Sequence, residues 1–140
     1  MPAVTTVKTH VTAYLCANGA AEAIEFYKRA FGAEERYRMT DDDGRIGHAE
    51  IVIGESILYL SDEWAEMRVL SPKTVNANPV SFVIALADVD AAFARAVEAG
   101  CMIERPLKDE PYGRAGWVLD PFGHRWCISR SNPDFDPRAT

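Results

Sequence analysis

The chain repeats one pattern of predicted elements, and this internal repeat limits the fold more than any other feature of the sequence. In each half, a strand-like run precedes an amphipathic helix, and three short strand-like runs follow it. The two predicted helices cover residues 20–31 and 89–99, with apolar residues at helical spacing and a glycine directly after each. The repeat predicts two copies of one small supersecondary unit.

The predicted strands fall at matching places in the two copies. They cover 10–15, 35–39, 46–53 and 56–60 in the first copy, and 80–86, 101–104, 116–119 and 125–129 in the second. This order predicts an α+β protein with two tandem βαβββ modules that form a curved mixed sheet around a cleft. The predicted parts are module one at about 7–61, a joining segment at 62–78, module two at about 79–130 and a tail at 131–140.

A chain of 140 residues has the length of one ordinary domain. Its 15 lysines and arginines and 21 aspartates and glutamates give a net charge of −6, which argues against binding to nucleic acid or an acidic membrane surface. No run approaches the ~18 apolar residues of a membrane-spanning helix, and residues 1–12 lack the pattern of a secretion signal. The three cysteines show no Cys-x-x-Cys spacing, so we expect no disulfide framework and a cytoplasmic location.

Three segments resemble the vicinal oxygen chelate superfamily, which includes glyoxalase I, the bleomycin-resistance proteins and the extradiol dioxygenases. They are residues 11–15, residues 23–33 (AIEFYKRAFGA) and residues 114–129, which contain the turn Asp-Pro-Phe-Gly-His at 120–124. The closer resemblance is to the small bacterial branch described as demethylubiquinone-methyltransferase-like. It implies the fold predicted above but not one activity, because the scaffold hosts isomerases, ring-cleaving oxygenases and drug-binding proteins.

The resemblance also implies where a divalent metal would bind, because superfamily members place ligands on the first and last strands of each module. These ligands are His or Gln on the first strands and Glu on the last. The matching positions here are His10 or Thr12, Tyr59, Ser81 and Cys127. Only His10 is of the expected type, and the hydroxyl and thiol groups make a poor site for a hard metal. We therefore predict no metal and no other cofactor; a divalent metal is a disfavoured alternative.

Two polar side chains share one face of the predicted strand at 46–53. His48 and Glu50 alternate with Ala49 and Ile51, so they project to the same side of the sheet. A histidine beside a carboxylate is a candidate general base, and this gives the pair its predicted catalytic role. The alternative is a polar pair on a partly wet sheet.

The other side chains predicted to line the cleft come from both modules and are largely aromatic, which suits flat or amphipathic ligands. On the last strand, Arg125 lies two residues before Cys127, and a nearby cation would activate the thiol. A small, inert, buried thiol is the alternative. The predicted ligand-binding residues are Tyr14, Tyr59, Ser81, Trp117, Arg125 and Cys127.

These observations predict a protein that binds a small aromatic or amphipathic molecule in the cleft, without the classical metal site. The resemblance implies a homodimer, and neither nucleic acid nor a membrane is an expected partner. One alternative is a metal-dependent lyase, isomerase or dioxygenase of the same superfamily, with His10, His48 and Glu50 as the nearest ligands or bases. Another is a non-catalytic subunit whose role is assembly.

Overall fold

The computed structural model describes residues 7–139. Module one contains β1 (Tyr14–Cys16), α1 (Ala20–Phe31), β2 (Glu34–Thr40), β3 (Ile46–Ile53) and β4 (Ser56–Ser61). The joining segment holds a 3-10 helix (Ala65–Met67) and the short helix α2 (Pro72–Val75). Module two contains β5 (Phe82–Ala85), α3 (Val89–Ala99), β6 (Met102–Glu110), β7 (Gly113–Leu119) and β8 (Arg125–Ser131). The predicted α+β fold of two βαβββ units is confirmed.

Each module forms a four-stranded mixed sheet, and the two sheets have the same strand order. The order is β1-β4-β3-β2 in module one and β5-β8-β7-β6 in module two. β1 runs parallel to β4 and β5 runs parallel to β8, whereas the other neighbouring strands are antiparallel. The first strand of each module therefore lies at a sheet edge, directly beside the last strand.

The helix α1 forms because its apolar side chains recur on one face, which the sheet of module one buries. Ile24 and Tyr27 are fully buried in that face, and the sheet contributes Leu15 and Ile51 to the same core. Gly32 ends the helix with a left-handed φ of 68°, a conformation that glycine adopts without a steric penalty. The predicted bounds of α1 and its capping glycine are thus observed.

A buried carboxylate joins the two modules. Asp120, in the turn between β7 and β8, accepts hydrogen bonds from the Tyr27 hydroxyl at 2.6 Å and the Trp126 indole at 2.8 Å. Its other oxygen accepts the backbone N–H groups of Phe122 and His124, at 2.8 and 3.0 Å. We call Asp120, Tyr27 and Trp126 the Asp120 hub. Because Tyr27 belongs to module one, the hub fixes module two against the helix of module one.

Both modules contribute to one hydrophobic core, and α1 packs against α3. Arg95 of α3 donates to the backbone carbonyl oxygens of Arg29 at 2.7 Å and Lys28 at 3.2 Å, which places a cation near the negative end of the α1 dipole. The Trp126 ring of β8 lies 4.7 Å from the Phe31 ring of α1, measured between centroids. One face of each sheet is therefore covered by the shared core. We call the other face its helix-free face.

Several strand bounds differ from the sequence-based expectation, and the largest differences are at β1 and β6. β1 begins at Tyr14 rather than at residue 10, because its pairing with β4 covers only three residue pairs. β6 continues to Glu110 rather than ending at residue 104, although Pro106 lies inside it. This strand is at a sheet edge and bulges between Arg105 and Lys108, which are conditions that tolerate a proline. In residues 7–139, no helix is long and apolar enough to cross a membrane.

Candidate functional site

The structure divides the predicted site residues between the two helix-free faces. Tyr14 pairs with Tyr59, and Tyr59 pairs with Glu50, so these side chains stand next to one another across three strands. His48 lies on the same face of β3 as Glu50. The face of module one therefore carries Tyr14, His48, Glu50 and Tyr59. The face of module two carries Ser81, Trp117, Arg125 and Cys127.

The polar groups on the face of module one form a continuous chain of hydrogen bonds. The Tyr14 hydroxyl lies 2.6 Å from Nδ1 of His48 and 3.2 Å from the carbonyl oxygen of Gly47. Nε2 of His48 lies 3.0 Å from Oε2 of Glu50. The imidazole and the carboxylate are both only about one-fifth exposed, at 21% and 23% of the side chain. The predicted pair of His48 and Glu50 is thus in contact, and Tyr14 extends it toward solvent.

An aromatic cluster surrounds this chain of hydrogen bonds. The Tyr59 ring meets the rings of His48 and Tyr14 edge-on, with centroids 4.8 and 5.5 Å apart. Tyr37 of β2 lies opposite Glu50, with its ring centroid 6.2 Å from that of His48. Burial, and then the proximity of Tyr59 and Glu50, raise the pKa of the Tyr14 hydroxyl, so it is protonated at neutral pH.

Tyr37 and Met39 were not predicted as site residues, although the strand pattern of the sequence places them on this surface. Both lie in the predicted strand at 35–39, and their spacing of two places them on one face. In the structure Tyr37 pairs with Glu50 and Met39 with His48. A strand next to β3 would therefore have contributed them to the same surface.

The face of module two has a different chemistry. The Arg125 guanidinium lies over the Trp117 ring, 3.8 Å from its centroid. It also donates to the Glu104 carboxylate at 2.7 Å and to the Ser81 hydroxyl at 3.4 Å. Cys127 lies between Trp117 and Val83 in the pairing. Two predicted ligand-binding residues, Trp117 and Ser81, thus contact Arg125, and a third, Cys127, lies two residues after it on β8. The Glu104 carboxylate also contacts Arg125 but was not predicted from the sequence.

Burial raises the pKa of the Cys127 thiol, and the opposing effects of Ser129 and the Arg125 charge are smaller. The thiol therefore stays protonated at neutral pH, and protonated thiols are poor nucleophiles and poor metal ligands. Cys127 is also buried, at 6% exposure. These properties agree with the inert alternative for this residue.

The residues at the expected metal positions do not fit a divalent ion. His10 is exposed and lies upstream of β1, with its Nδ1 3.2 Å from the backbone oxygen of Lys8. Tyr59 belongs to one sheet and Cys127 to the other, whereas Ser81 lies directly before β5, which begins later than predicted. Among the residues that the structure describes, no group of three or more His, Cys, Asp or Glu side chains is placed to hold a metal.

Two cavities adjoin the sheets. The larger, of about 710 Å³, lies between the modules and is lined on its core side by Phe31, Ile53, Leu58, Phe82, Ile84 and Arg95, among others. The smaller, of about 590 Å³, lies beside β1 and is bounded by Tyr14, Gly47, Trp64, Met67 and Val69, among others. Neither of these two cavities is lined by residues from both helix-free faces, so the two groups of predicted residues do not meet in one of them.

The chain is similar to the proteins of one superfamily. The profile of the Glyoxalase/Bleomycin resistance protein/Dioxygenase superfamily matches residues 9–128. An uncharacterized protein of Mycobacterium bovis is 35% identical over 128 residues, which cover 89% of this chain and 84% of the relative.

Two solved structures share the fold of this chain. TioX from Micromonospora sp. ML1 is 27% identical, with a TM-score of 0.70 and coverage of 89% of this chain and 100% of TioX. A putative 3-demethylubiquinone-9 3-methyltransferase, the PhnB protein from Bacillus cereus, is 20% identical, with a TM-score of 0.67 and coverage of 88% and 100%. The second similarity shows a shared fold only.

Proposed function

Because the chain belongs to the Glyoxalase/Bleomycin resistance protein/Dioxygenase superfamily, we propose that it binds a small aromatic or amphipathic molecule without the metal site of its catalytic relatives. The observation that carries this proposal is the aromatic cluster on the helix-free face of module one. Three tyrosines and a histidine stand there around a hydrogen-bonded polar centre. Such a surface provides flat apolar contacts together with a few fixed polar groups, as ligand sites commonly do.

The exposure of this cluster supports a binding role. Tyr14 is 54% exposed and Tyr37 is 51% exposed, and Met39 and Ile57 on the same face are also exposed. Exposed apolar side chains that form a contiguous patch commonly mark a surface that binds something. Tyrosine suits this role because its ring is apolar and its hydroxyl still finds polar partners.

A second copy of the chain is the proposed partner that completes the cleft. Each chain presents two separate helix-free faces, and Val83 on the face of module two is 64% exposed. The accessible surface of the chain is 9134 Å², whereas a compact protein of 15.5 kDa exposes about 7,200 Å². A symmetric homodimer would cover part of this excess accessible surface and bring a helix-free face of one copy toward the partner copy.

Molar mass in solution tests the dimer. We expect light scattering after size exclusion to give about twice the chain mass of 15.5 kDa at micromolar concentration. A mass of one chain at all concentrations up to about 100 μM, above the Kd of ordinary stable dimers, would reject the dimer.

Three free, buried cysteines suit a reducing compartment, and we propose a cytoplasmic location for the protein.

Binding is tested with an uncharged aromatic probe, 4-nitroanisole, by calorimetry and by the rise in melting temperature. We expect Tyr59→Ala to weaken binding about tenfold, which corresponds to about 1.4 kcal/mol. Tyr112→Ala is the matched control, because Tyr112 is an exposed tyrosine in the turn between β6 and β7. Equal losses in both variants would contradict a site on module one.

The metal-free part of the proposal has its own test. Protein prepared without an affinity tag is dialysed against Zn²⁺, Mn²⁺ or Ni²⁺ and then against buffer, and its metal content is measured. We expect less than about 0.1 ion per chain, because the hydroxyl and thiol groups at the expected positions are poor ligands at neutral pH. One ion per chain that is lost in His10→Ala would favour the metal-dependent enzyme instead.

A further inference from the structure

We propose that Tyr14, His48 and Glu50 form a proton relay, whose outer hydroxyl accepts the proton of an acidic hydroxyl group on an aromatic ligand. The inference rests on the proposed function, since it requires that the helix-free face of module one bind an aromatic molecule. It adds the chemical class of that molecule, a phenol, and assigns each group of the relay a role.

The direction of the relay follows from what each group is able to donate. An ionised glutamate only accepts, so Nε2 of His48 carries the hydrogen that bridges the 3.0 Å to Glu50. In a neutral imidazole the other nitrogen, Nδ1, then has a lone pair and accepts the Tyr14 hydroxyl at 2.6 Å. The Tyr14 oxygen keeps an unused lone pair, which accepts a hydrogen bond from a ligand.

The proton transfer balances without any further reactant. The O–H bond of the ligand breaks, and its proton passes to the Tyr14 oxygen while the Tyr14 proton passes to Nδ1 of His48. The products are a ligand phenolate, a neutral Tyr14 and an imidazolium that still donates from Nε2 to Glu50. Tyr14 then accepts from Nδ1 and turns its hydrogen toward the phenolate or toward the Gly47 oxygen 3.2 Å away.

The imidazole of His48 lies beside a carboxylate rather than a cation. Among the described residues, Glu50 is the ion-pair partner of His48, and both side chains are largely buried. Opposite charges attract more strongly at such partly buried positions than in water. The other ionisable groups that face the imidazole are Tyr14 of β1, Tyr37 of β2 and Tyr59 of β4. None of these tyrosines carries a positive charge that would oppose proton uptake.

The smaller cavity gives the ligand ring a place beside the relay. Tyr14 borders it, and Leu15, Trp64, Met67 and Val69 supply apolar walls. A phenol whose ring enters this cavity would present its hydroxyl to Tyr14. Gly47 also borders the space, and a side chain there would come within 3.2 Å of Asp41 and 3.8 Å of Trp64. Residue 47 thus leaves room beside the relay.

The test compares two probes, 4-nitrophenol and 4-nitroanisole, which share the ring but differ in the acidic hydroxyl. We expect bound 4-nitrophenol to ionise about one pH unit lower than the free compound, followed by its phenolate absorbance. Tyr14→Phe and His48→Gln should each abolish this shift, measured at a 4-nitrophenol concentration that saturates each variant, and 4-nitroanisole reports whether each variant still binds the ring. Tyr37→Phe is the matched control on the same face and should keep the shift.

The outcomes separate the inference from the proposed function. If 4-nitroanisole binds and 4-nitrophenol ionises at its free value, the relay is rejected and the aromatic site stands. An equal shift in wild type and in Tyr14→Phe also rejects the relay. If neither probe binds, both proposals fail. Tyr14→Phe keeps the ring of an exposed residue, so the test does not depend on whether His48→Gln folds.

Discussion

In module one, Tyr14 pairs with Tyr59 across two parallel strands; at the same place in module two, Val83 pairs with Cys127. The next pair along the strands is Leu15 with Leu60 in the first module and Ile84 with Ile128 in the second. These four residues all face the core, and they are all aliphatic. The two modules therefore keep the same kind of side chain toward the core and differ on the helix-free face.

The difference has a physical basis. A change in the core must preserve volume and packing, because interiors are as dense as organic crystals. A change on the helix-free face meets no such limit. Module one uses this freedom for tyrosines with a histidine and a glutamate, whereas module two uses it for Arg125, which is stacked on Trp117 and paired with Glu104. The comparison teaches that chemistry in a duplicated fold resides on the face that the core does not restrict.

The largest expected effect tests whether the Asp120 hub holds the two modules together. Asp120→Ala should lower the free energy of unfolding by about 3–4 kcal/mol, because the buried Tyr27 hydroxyl and Trp126 indole lose their acceptor. Urea denaturation followed by tryptophan fluorescence measures the loss. Asp134→Ala in the tail is the control and should change stability by less than about 0.5 kcal/mol. Similar small losses in both variants would mean that the modules are held together by other contacts.

An intermediate effect separates the two faces. Arg125→Ala should cost about 1–2 kcal/mol, because it removes the stacking on Trp117 and leaves Glu104 without its partner. Arg125→Lys should not restore the loss, since a lysine lacks the planar guanidinium. Tyr14→Phe should cost less than about 1 kcal/mol, the net value of an ordinary hydrogen bond. Equal losses in the free energy of unfolding for Arg125→Ala and Tyr14→Phe would contradict this difference between the two helix-free faces.

The smallest effect concerns one buried thiol in each module. Burial raises the pKa of the Cys16 and Cys101 thiols to about 12. The folded state therefore holds these protons more tightly than the unfolded state. Their contribution to stability is complete below the thiol pKa of the unfolded chain and is lost as the pH rises toward 12. We expect a loss of about 0.8 kcal/mol per thiol by pH 9.

Chemical denaturation at pH 8, 9 and 10 measures that loss. Cys16→Ala and Cys101→Ala should each flatten the decline by a similar amount, after correction for their stability at pH 8. A decline that only one of the two variants changes would show that burial protects only that thiol from ionisation.

The sequence predicted the order of helices and strands well, because these elements follow from the periodicity of the apolar residues. The strand at 46–53 and the helices at 20–31 and 89–99 have the predicted bounds, since alternation and helical spacing were strong there. The contact between His48 and Glu50 was predictable for the same reason, because a spacing of two in a strand fixes the face. The predicted strand at 101–104 stops two residues before Pro106, whereas β6 continues past this proline, which an edge strand accepts.

The arrangement of the site was beyond the sequence for a different reason. Whether the site residues of the two modules meet depends on how the modules pack, and the Asp120 hub contributes to that packing. A buried aspartate that bonds a tyrosine 93 positions away leaves no periodic signal. The partner of Arg125 was hidden in the same way, because Glu104 lies across a register shift in β6.

The Asp120 hub also bears on how such a chain arises by duplication. Without the joining segment, module two would have to find the Tyr27 hydroxyl on another molecule, at whatever concentration the cell supplied. Fusion through a short tether replaces that encounter with an effective concentration in the millimolar range.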